Sequence, residues 1–488
     1  MNFLILGVDK KYMLTFFELF QKKYNCINYI YSWNNLNDRS LLSSLPRIDS
    51  SKLYKSESIF DAFKLKNIPL LEGDFLEKMR ECHTDFLNTI DRCAAAPISI
   101  SKINTLYYEL LQFYKGFFEE NQNITHLFFP ATPHFAPDIV LFYVSKYFNK
   151  KTIILTRTDF DNKYILNLDW RFPIKFNHNS NENINNYINL KTTSIFIEHS
   201  KNLNNQSLTY NYEKINFISR LKKYYFIFNY SREIYKNQSL NSSIYLNNEI
   251  KFIDLFKIIY NRINLNKQLF KLYTSISENP VLSIKYIYFP LHFQPERSTQ
   301  PEGSFFENQL LAIRLLHSNL PKNFLIYVKE HPRQFDNSTP DLRKVHSRSP
   351  YFYKQIRKLP NVRLINIDYS SEELINNATI VATITGSSGW QALKNGKPIF
   401  LFGHPWYSSC LGTFVIKNSI DVLNAFVEVE KLNCQLITKE VEIFVNRINP
   451  HLVDSYTGIN DINGNSPKLD LISEKFCIKL YTYAIQNG

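Results

Sequence analysis

The 488-residue sequence predicts an α/β protein built from two Rossmann-like, doubly wound domains facing a central cleft. Three observations lead there. Short apolar runs alternate with longer helical patterns over the first 160 residues, and the alternation resumes after about residue 281. Polar clusters then recur directly after predicted strands of the second half, at the sheet edge where open α/β sheets bind ligands.

The elements follow in chain order. Residues 3–8 form an apolar run closed by Asp9, Lys10 and Lys11. It is too short for a signal peptide and reads as a buried strand. Helical spacing covers 14–23, and 26–31 reads as a second strand. Helices follow at 59–65, 74–94 and 101–120, the last with Leu106, Leu110, Leu111 and Tyr114 on one face. A strand at 126–129, a Pro-containing loop, a helix at 138–148 and a strand at 151–156 complete this half. Residues 160–250 are Asn-rich and weakly patterned (HNSNENINNYINL, YKNQSLNSSIYLNNEI), which predicts an exposed, mobile insertion. Residues 253–273 read as a long helix broken by ENP at 278–280. Strands at 286–289, 324–329, 362–365, 379–384 and 399–402 then alternate with helices at 305–318, 351–358, 371–376 and 389–394. Helices at 422–429, 440–448 and from 471 close the chain. The expected division is a first domain over 1–250, a linking helix over 251–280, a second domain over 281–430 and a helical tail over 431–488.

Bulk composition excludes more than it identifies. Hydrophobic content of 44% and charged content of 21% suit a folded protein. The 39 Phe and 31 Tyr accompany abundant Asn, Ile and Lys, a bias that AT-rich codon usage explains without reference to function. The net charge of +13 comes without zinc-finger spacing, an RNP-like aromatic motif or a long basic run, so no nucleic-acid partner is expected. The charge suits an anionic small molecule or a lipid-linked acceptor, and equally a solvated Lys-rich surface. Six scattered cysteines without a CxxC pair point to reduced thiols in a cytoplasmic protein, with no structural zinc. No window approaches the roughly 18 to 20 apolar residues of a membrane span.

Three constellations carry chemistry. Four of only 12 glycines fall within residues 383–403, TITGSSGWQALKNGKPIFLFG. A strand ending at Thr385 leads into Gly386-Ser387-Ser388-Gly389 and a short helix. Helix N-termini offer unpaired N–H groups and partial positive charge to phosphate, small residues admit close backbone approach, and hydroxyls add donors. Gly396-Lys397-Pro398 reads instead as a helix stop, and Gly403 as a strand end. The second constellation is LIYVKEHPRQ, where a buried strand runs into Lys329, Glu330, His331 and Pro332. Pro332 restricts His331 to extended backbone, and Lys329 and His331 suit phosphate oxygens. The third is YFPLHFQPERSTQPEG, a strand followed by His292, Gln294 and Glu296.

PLHFQPERST, VKEHP and TGSSGWQALKNGKPIFLFGHPWY, in this order and spacing, resemble the capsule polysaccharide biosynthesis family, which includes bacterial Kdo transferases. The likeness is strongest over about 283–415 and weaker over FFPATPHFAPDIVLFYVSKYF at 128–148. It implies a GT-B-like glycosyltransferase with an acceptor domain first and the nucleotide-sugar domain second. The implied donor is a CMP-sugar, CMP-Kdo above all. His331, Ser387 and Ser388 would hold the CMP phosphate. No cofactor is implied beyond that donor substrate. One departure is the lack of the Glu-Asp-Gly stretch that some Kdo transferases of the family carry. Asp159 and Asp161 in LTRTDFDNKY are the nearest substitute, with His134 and Glu296 as further acid/base candidates. Asp159 and Asp161 also fit an Asx turn, and His134 a structural loop histidine.

The resulting expectation is a metal-independent glycosyltransferase of surface-polysaccharide assembly. It would act in the cytoplasm, with peripheral contact at the inner face of the membrane, on a glycan or lipid-linked glycan acceptor. Its phosphate-binding set would be Lys329, His331, Pro332, Thr385, Gly386, Ser387, Ser388 and Gly389. A teichoic-acid-type polyol-phosphate transferase and a non-catalytic assembly partner are the alternatives.

Overall fold

A computed structural model describes the chain apart from residues 10, 34–35, 37–39, 56–57, 66, 94–97, 175–223, 226, 230, 233–250, 336–347, 456–466 and 488. The chain divides into two compact units. The first holds Met1–Ile90, Ile98–Leu190 and Val445–Gly488; the second holds Asp91–Pro97 and Lys191–Phe444.

The first unit is built on a seven-stranded sheet. Its strands are β1 Phe3–Leu6, β2 Ile27–Ser32, β3 Arg47–Asp49, β4 His126–Phe129, β5 Lys151–Arg157, β6 Lys163–Asn167 and, from near the C-terminus, β13 Leu452–Asp454. Their order is β13-β6-β5-β4-β1-β2-β3. β3 to β5 are parallel, while β6 and β13 pair antiparallel at one edge. β1 and β4 are buried throughout, as a parallel sheet covered on both faces requires. The helix Ile100–Glu120 starts at Ser99, whose hydroxyl accepts from Lys102 N–H, and buries Leu106, Leu110, Leu111, Tyr114 and Phe118 along one stripe. β1 ends at Gly7, which takes φ +90° because Pro130 leaves no room for a side chain there.

The second unit carries a six-stranded, wholly parallel sheet: β7 Tyr286–Pro290, β8 Leu325–Lys329, β9 Val362–Leu364, β10 Ile380–Thr383, β11 Ile399–Leu401 and β12 Thr413–Val415. Its order, β12-β11-β10-β7-β8-β9, is the doubly wound order that reverses between the first and fourth strands. Two Rossmann-type units in one chain are the parts of a GT-B-like fold. Ile287, Phe289, Ile326, Val328, Ile380 and Ala382 line one face of this sheet and pack with helix residues such as Leu269, Ile313, Tyr353 and Val422 into one core. The switch point lies between β7 and β10, whose ends carry His292 and the Ser387 turn.

Several elements differ from the sequence-based expectation. Residues 74–94 form two helices, Gly73–Lys78 and Arg80–Cys93. β6 occupies part of the expected insertion, whose remainder lies largely outside the described residues. The helix Phe252–Ile276 belongs to the second unit rather than linking the two. Its Leu269 and Tyr273 sit in that unit's core, and Tyr273 Oη lies on the backbone N–H of Glu330 at 3.0 Å. The segment expected as a tail also divides. Val445 onward returns to the first unit, where β13 pairs with β6 and the helix Pro467–Gln486 packs on the helix Lys11–Tyr24 through Phe476, Cys477 and Leu480. All six cysteines are free thiols. Among the described residues, no helix is long and apolar enough to cross a membrane.

Candidate functional site

The helix after β10 runs Ser387–Lys394, with Gly386 as its N-cap. The two serines therefore occupy the first helical turn rather than a loop before it. First-turn N–H groups have no intrahelical acceptor. Gly389 N–H turns back to the Gly386 carbonyl at 3.1 Å. Neither serine hydroxyl hydrogen-bonds to another described residue; Ser387 is exposed and Ser388 half-buried. Two hydroxyls and two N–H groups are thus presented at the carboxyl edge of the sheet, at its switch point, a geometry suited to an anion.

The glycines around them serve packing. A Cβ on Gly386 would stand 2.8 Å from Thr383 Oγ1 and 3.2 Å from the His292 ring. One on Gly389 would meet the Tyr407 hydroxyl at 2.5 Å. Both positions have to be small because side chains from neighbouring strand ends brace the turn. Tyr407 donates its hydroxyl to the Gly386 carbonyl. Thr383 Oγ1 accepts from Gly386 N–H at 3.2 Å and bonds His292 Nε2 at 2.9 Å. Gly396, at φ +69°, ends the helix as expected.

His292 lies just beyond β7 and is buried. Ile384 N–H donates to its Nε2 at 3.3 Å, so the ring proton belongs on Nδ1, which has Ser298 Oγ 3.5 Å away. Burial, with the Arg348 guanidinium behind it, pushes His292 down to about 4. It is a neutral brace for the turn. Gln294 is bracing too: its side chain bonds Thr299 Oγ1 at 2.7 Å, and its N–H bonds Gln334 Oε1 at 2.9 Å. Glu296 is exposed, with Ser298 Oγ at 3.3 Å from its carboxylate. Thr385 donates Oγ1 to the Ser298 carbonyl at 2.6 Å, joining the loops after β7 and β10.

The loop after β8 holds Lys329, Glu330, His331 and Pro332, the last opening a short 3-10 turn, Pro332–Phe335. Glu330, which sequence reasoning left without a role, organises it. Its buried carboxylate accepts from Arg348 Nε at 2.7 Å, Tyr353 Oη at 2.7 Å and His331 N–H at 2.8 Å. Arg348 also reaches the His292 carbonyl at 2.9 Å. A buried ion pair needs such full satisfaction, and here it couples the backbones of both histidines. Arg348 had no motif to announce it; only folding brings it to Glu330. His331, half-buried, accepts Arg333 N–H on Nδ1 at 3.2 Å, which leaves its proton on Nε2. Burial first, then Lys329, Arg333 and other cations, pushes it down to about 3.

Lys329 is buried, and its ammonium donates to Ser371 Oγ at 3.0 Å. Burial lowers it to about 8 against the opposing charge of Asp368.

In the first unit, Asp159 and Asp161 lie in the turn between β5 and antiparallel β6. Thr158 Oγ1 accepts from Phe160 N–H at 3.2 Å, and Asn162 takes φ +53°. His134, in the loop after β4, donates Nδ1–H to the Thr132 carbonyl at 2.7 Å, which makes Nε2 the proton acceptor. Among the described residues, no group of three or more His, Cys, Asp or Glu could hold a metal ion.

Residues 178–412 match the family model of capsule polysaccharide biosynthesis proteins. No curated protein sequence matches the chain. Among solved structures, a beta Kdo 2,7 transferase of Thermosulfurimonas dismutans is 20% identical over 39% of this chain and 66% of its own, with a TM-score of 0.21. A beta Kdo 2,4 transferase of the same organism is 11% identical over 62% and 80%, TM-score 0.25. The wall teichoic acid polymerase TagF is 13% identical over 98% and 90%, TM-score 0.22. At such identities and scores nothing about substrate follows from these three.

Proposed function

We propose that this chain, which over residues 178–412 belongs to the capsule polysaccharide biosynthesis family, is a glycosyltransferase of surface-polysaccharide assembly. It transfers a sugar, Kdo from CMP-Kdo, to a glycan or lipid-linked glycan acceptor. The observation that carries the reading is the braced turn at Ser387 and Ser388, set at the switch point of a parallel sheet with His331 at the same edge, two strands away at the end of β8.

Transfer breaks the bond between the sugar's anomeric carbon and the phosphate oxygen, and CMP departs with the electron pair. The acceptor oxygen bonds the same carbon and loses its proton to a base. Ser387, Ser388, the first-turn N–H groups and His331 Nε2–H stabilise the departing phosphate, with Lys329 supplying positive charge nearby. CMP is a good leaving group, so the proposal needs no metal. Asp159, Asp161, His134 and Glu296 are the candidates for that base. The excess of basic residues supports a cytoplasmic enzyme in peripheral contact with an anionic inner leaflet.

The test is CMP-Kdo hydrolysis and transfer by purified protein. Replacing both serines, Ser387→Ala with Ser388→Ala, is expected to lower turnover roughly 100- to 1,000-fold, the effect of losing a preorganised donor. Undiminished turnover would remove the phosphate-site assignment. Turnover of CDP-glycerol in place of CMP-Kdo would make the protein a polyol-phosphate transferase.

A further inference from the structure

Four consecutive strands of the second sheet, β11, β10, β7 and β8, each end in a polar group at the same edge: His404, the Ser387 turn, His292 and His331. The outer two are His-Pro dipeptides, His404-Pro405 and His331-Pro332. A following proline holds each histidine's backbone extended, so both imidazoles leave the sheet edge in restricted directions. The site described above uses only one of this pair.

The loop carrying His404 is locked to the phosphate turn. A Cβ on Gly403 would stand 2.7 Å from Thr385 Cγ2 and 2.8 Å from the Glu302 carbonyl oxygen. Thr385 directly precedes Gly386 and is itself tied to Ser298. His404 therefore starts from a backbone position in contact with the residue that opens the turn.

Its ring is asymmetric in environment. Nδ1 is sealed from solvent with no hydrogen-bond partner among the described residues, while the residue as a whole stays partly exposed. Lys417 is the cation that acts on it. A sealed nitrogen with no acceptor beside it is less costly as a lone pair than as an unpaired N–H donor. The proton then sits on Nε2. His331 reaches the same tautomer through Arg333 N–H. Burial and then Lys417 push His404 down to about 4, so its ring is neutral near pH 7.

We infer that His404 is a second Nε2–H donor to the phosphoryl group held at Ser387 and Ser388, on the other side of that turn from His331. The inference rests on the proposed function for the nucleotide but not for the phosphate.

The experiment is calorimetric titration of the full chain with CMP, CDP and inorganic phosphate, for wild type, His404→Ala, His404→Gln and His404→Asn. Glutamine can place its amide N–H₂ where Nε2 stood; asparagine reaches only the Nδ1 position. His404→Ala is expected to weaken CMP binding roughly ten- to hundredfold. His404→Gln should recover most of it and His404→Asn little. Equal CMP affinity in wild type and His404→Ala overturns the inference while leaving the proposed function standing. If wild type binds inorganic phosphate or CDP but not CMP, and His404→Ala loses that binding, the inference survives and the CMP reading falls. If wild type binds none of the three, both fall. Nitrogen-15 NMR of the wild-type histidines, with His404 identified by its absence in His404→Gln, should show the Nε2–H tautomer. The Nδ1–H tautomer overturns the inference even where a variant fails to fold.

Discussion

Single residues decide whether the turn at Ser387 is rigid. Gly389 is packed under Tyr407, so Gly389→Ala should lower the melting temperature by an amount equivalent to about 1–3 kcal/mol, the usual cost of overpacking. Adding Tyr407→Phe removes the hydroxyl the new methyl meets, and the double variant should recover part of the loss. Failure of the pair to recover anything would show that the glycine is required for another reason. The buried histidines make a second prediction. His292, His331 and His404 all titrate below the ordinary value of about 6.5 when folded. Between the folded and unfolded values the unfolded chain binds more protons, so stability rises with pH across that window. The contribution is complete above about pH 6.5 and is lost as pH falls through about 4 for His292 and His404 and about 3 for His331. Thermal melts should show the melting temperature dropping over that interval; a flat profile would contradict the burial of these rings. Ser387 and His331 were legible from the motif because their neighbours in sequence, glycine and proline, restrict the backbone. Glu330 with Arg348, and Thr383 with His292, were not. Their partners are 18 and 91 residues away, and no local pattern encodes that.

At the scale of elements, the apolar period identified most central strands and long helices within a few residues, since those segments are buried on whole faces. The short pieces escaped. β3 and β12 are three residues each and only partly buried, and β13 is as short, so they lack the fully apolar run that revealed the equally short β11. β6 was hidden in an Asn-rich stretch. The helix Pro467–Gln486 was expected, but its destination was not. Its Phe476 stacks on Phe16 at 4.9 Å and meets Phe128 edge-on at 6.1 Å in the first unit's core. Phe476→Ala should therefore destabilise the first unit by about 3–5 kcal/mol, measured by chemical denaturation. An effect near zero would mean that the helix contributes no core.

For the whole molecule, each unit has its own sheet and its own buried cluster. The residues proposed to hold the nucleotide all belong to the second. CMP at 100 times its dissociation constant should stabilise that unit by about 2.7 kcal/mol. Scanning calorimetry should show the second unit's transition rising with CMP. No rise at millimolar CMP, CDP or UDP would favour the assembly-partner alternative over an enzyme.

The sequence by itself determined the α/β class, the two alternating halves, and the strand-turn-helix at Gly386 to Gly389 with its two serines. Each of these is local: hydrophobic period, helix-terminus chemistry and proline restriction act within about a dozen residues. Only the tertiary structure decided which chain segments share a unit, that the last 44 residues return to the first, and that the turn's glycines are small for the sake of Tyr407, Thr383 and His292. Those features depend on long-range packing, where side chains distant in sequence must fit one space, and no spacing along the chain records that fit.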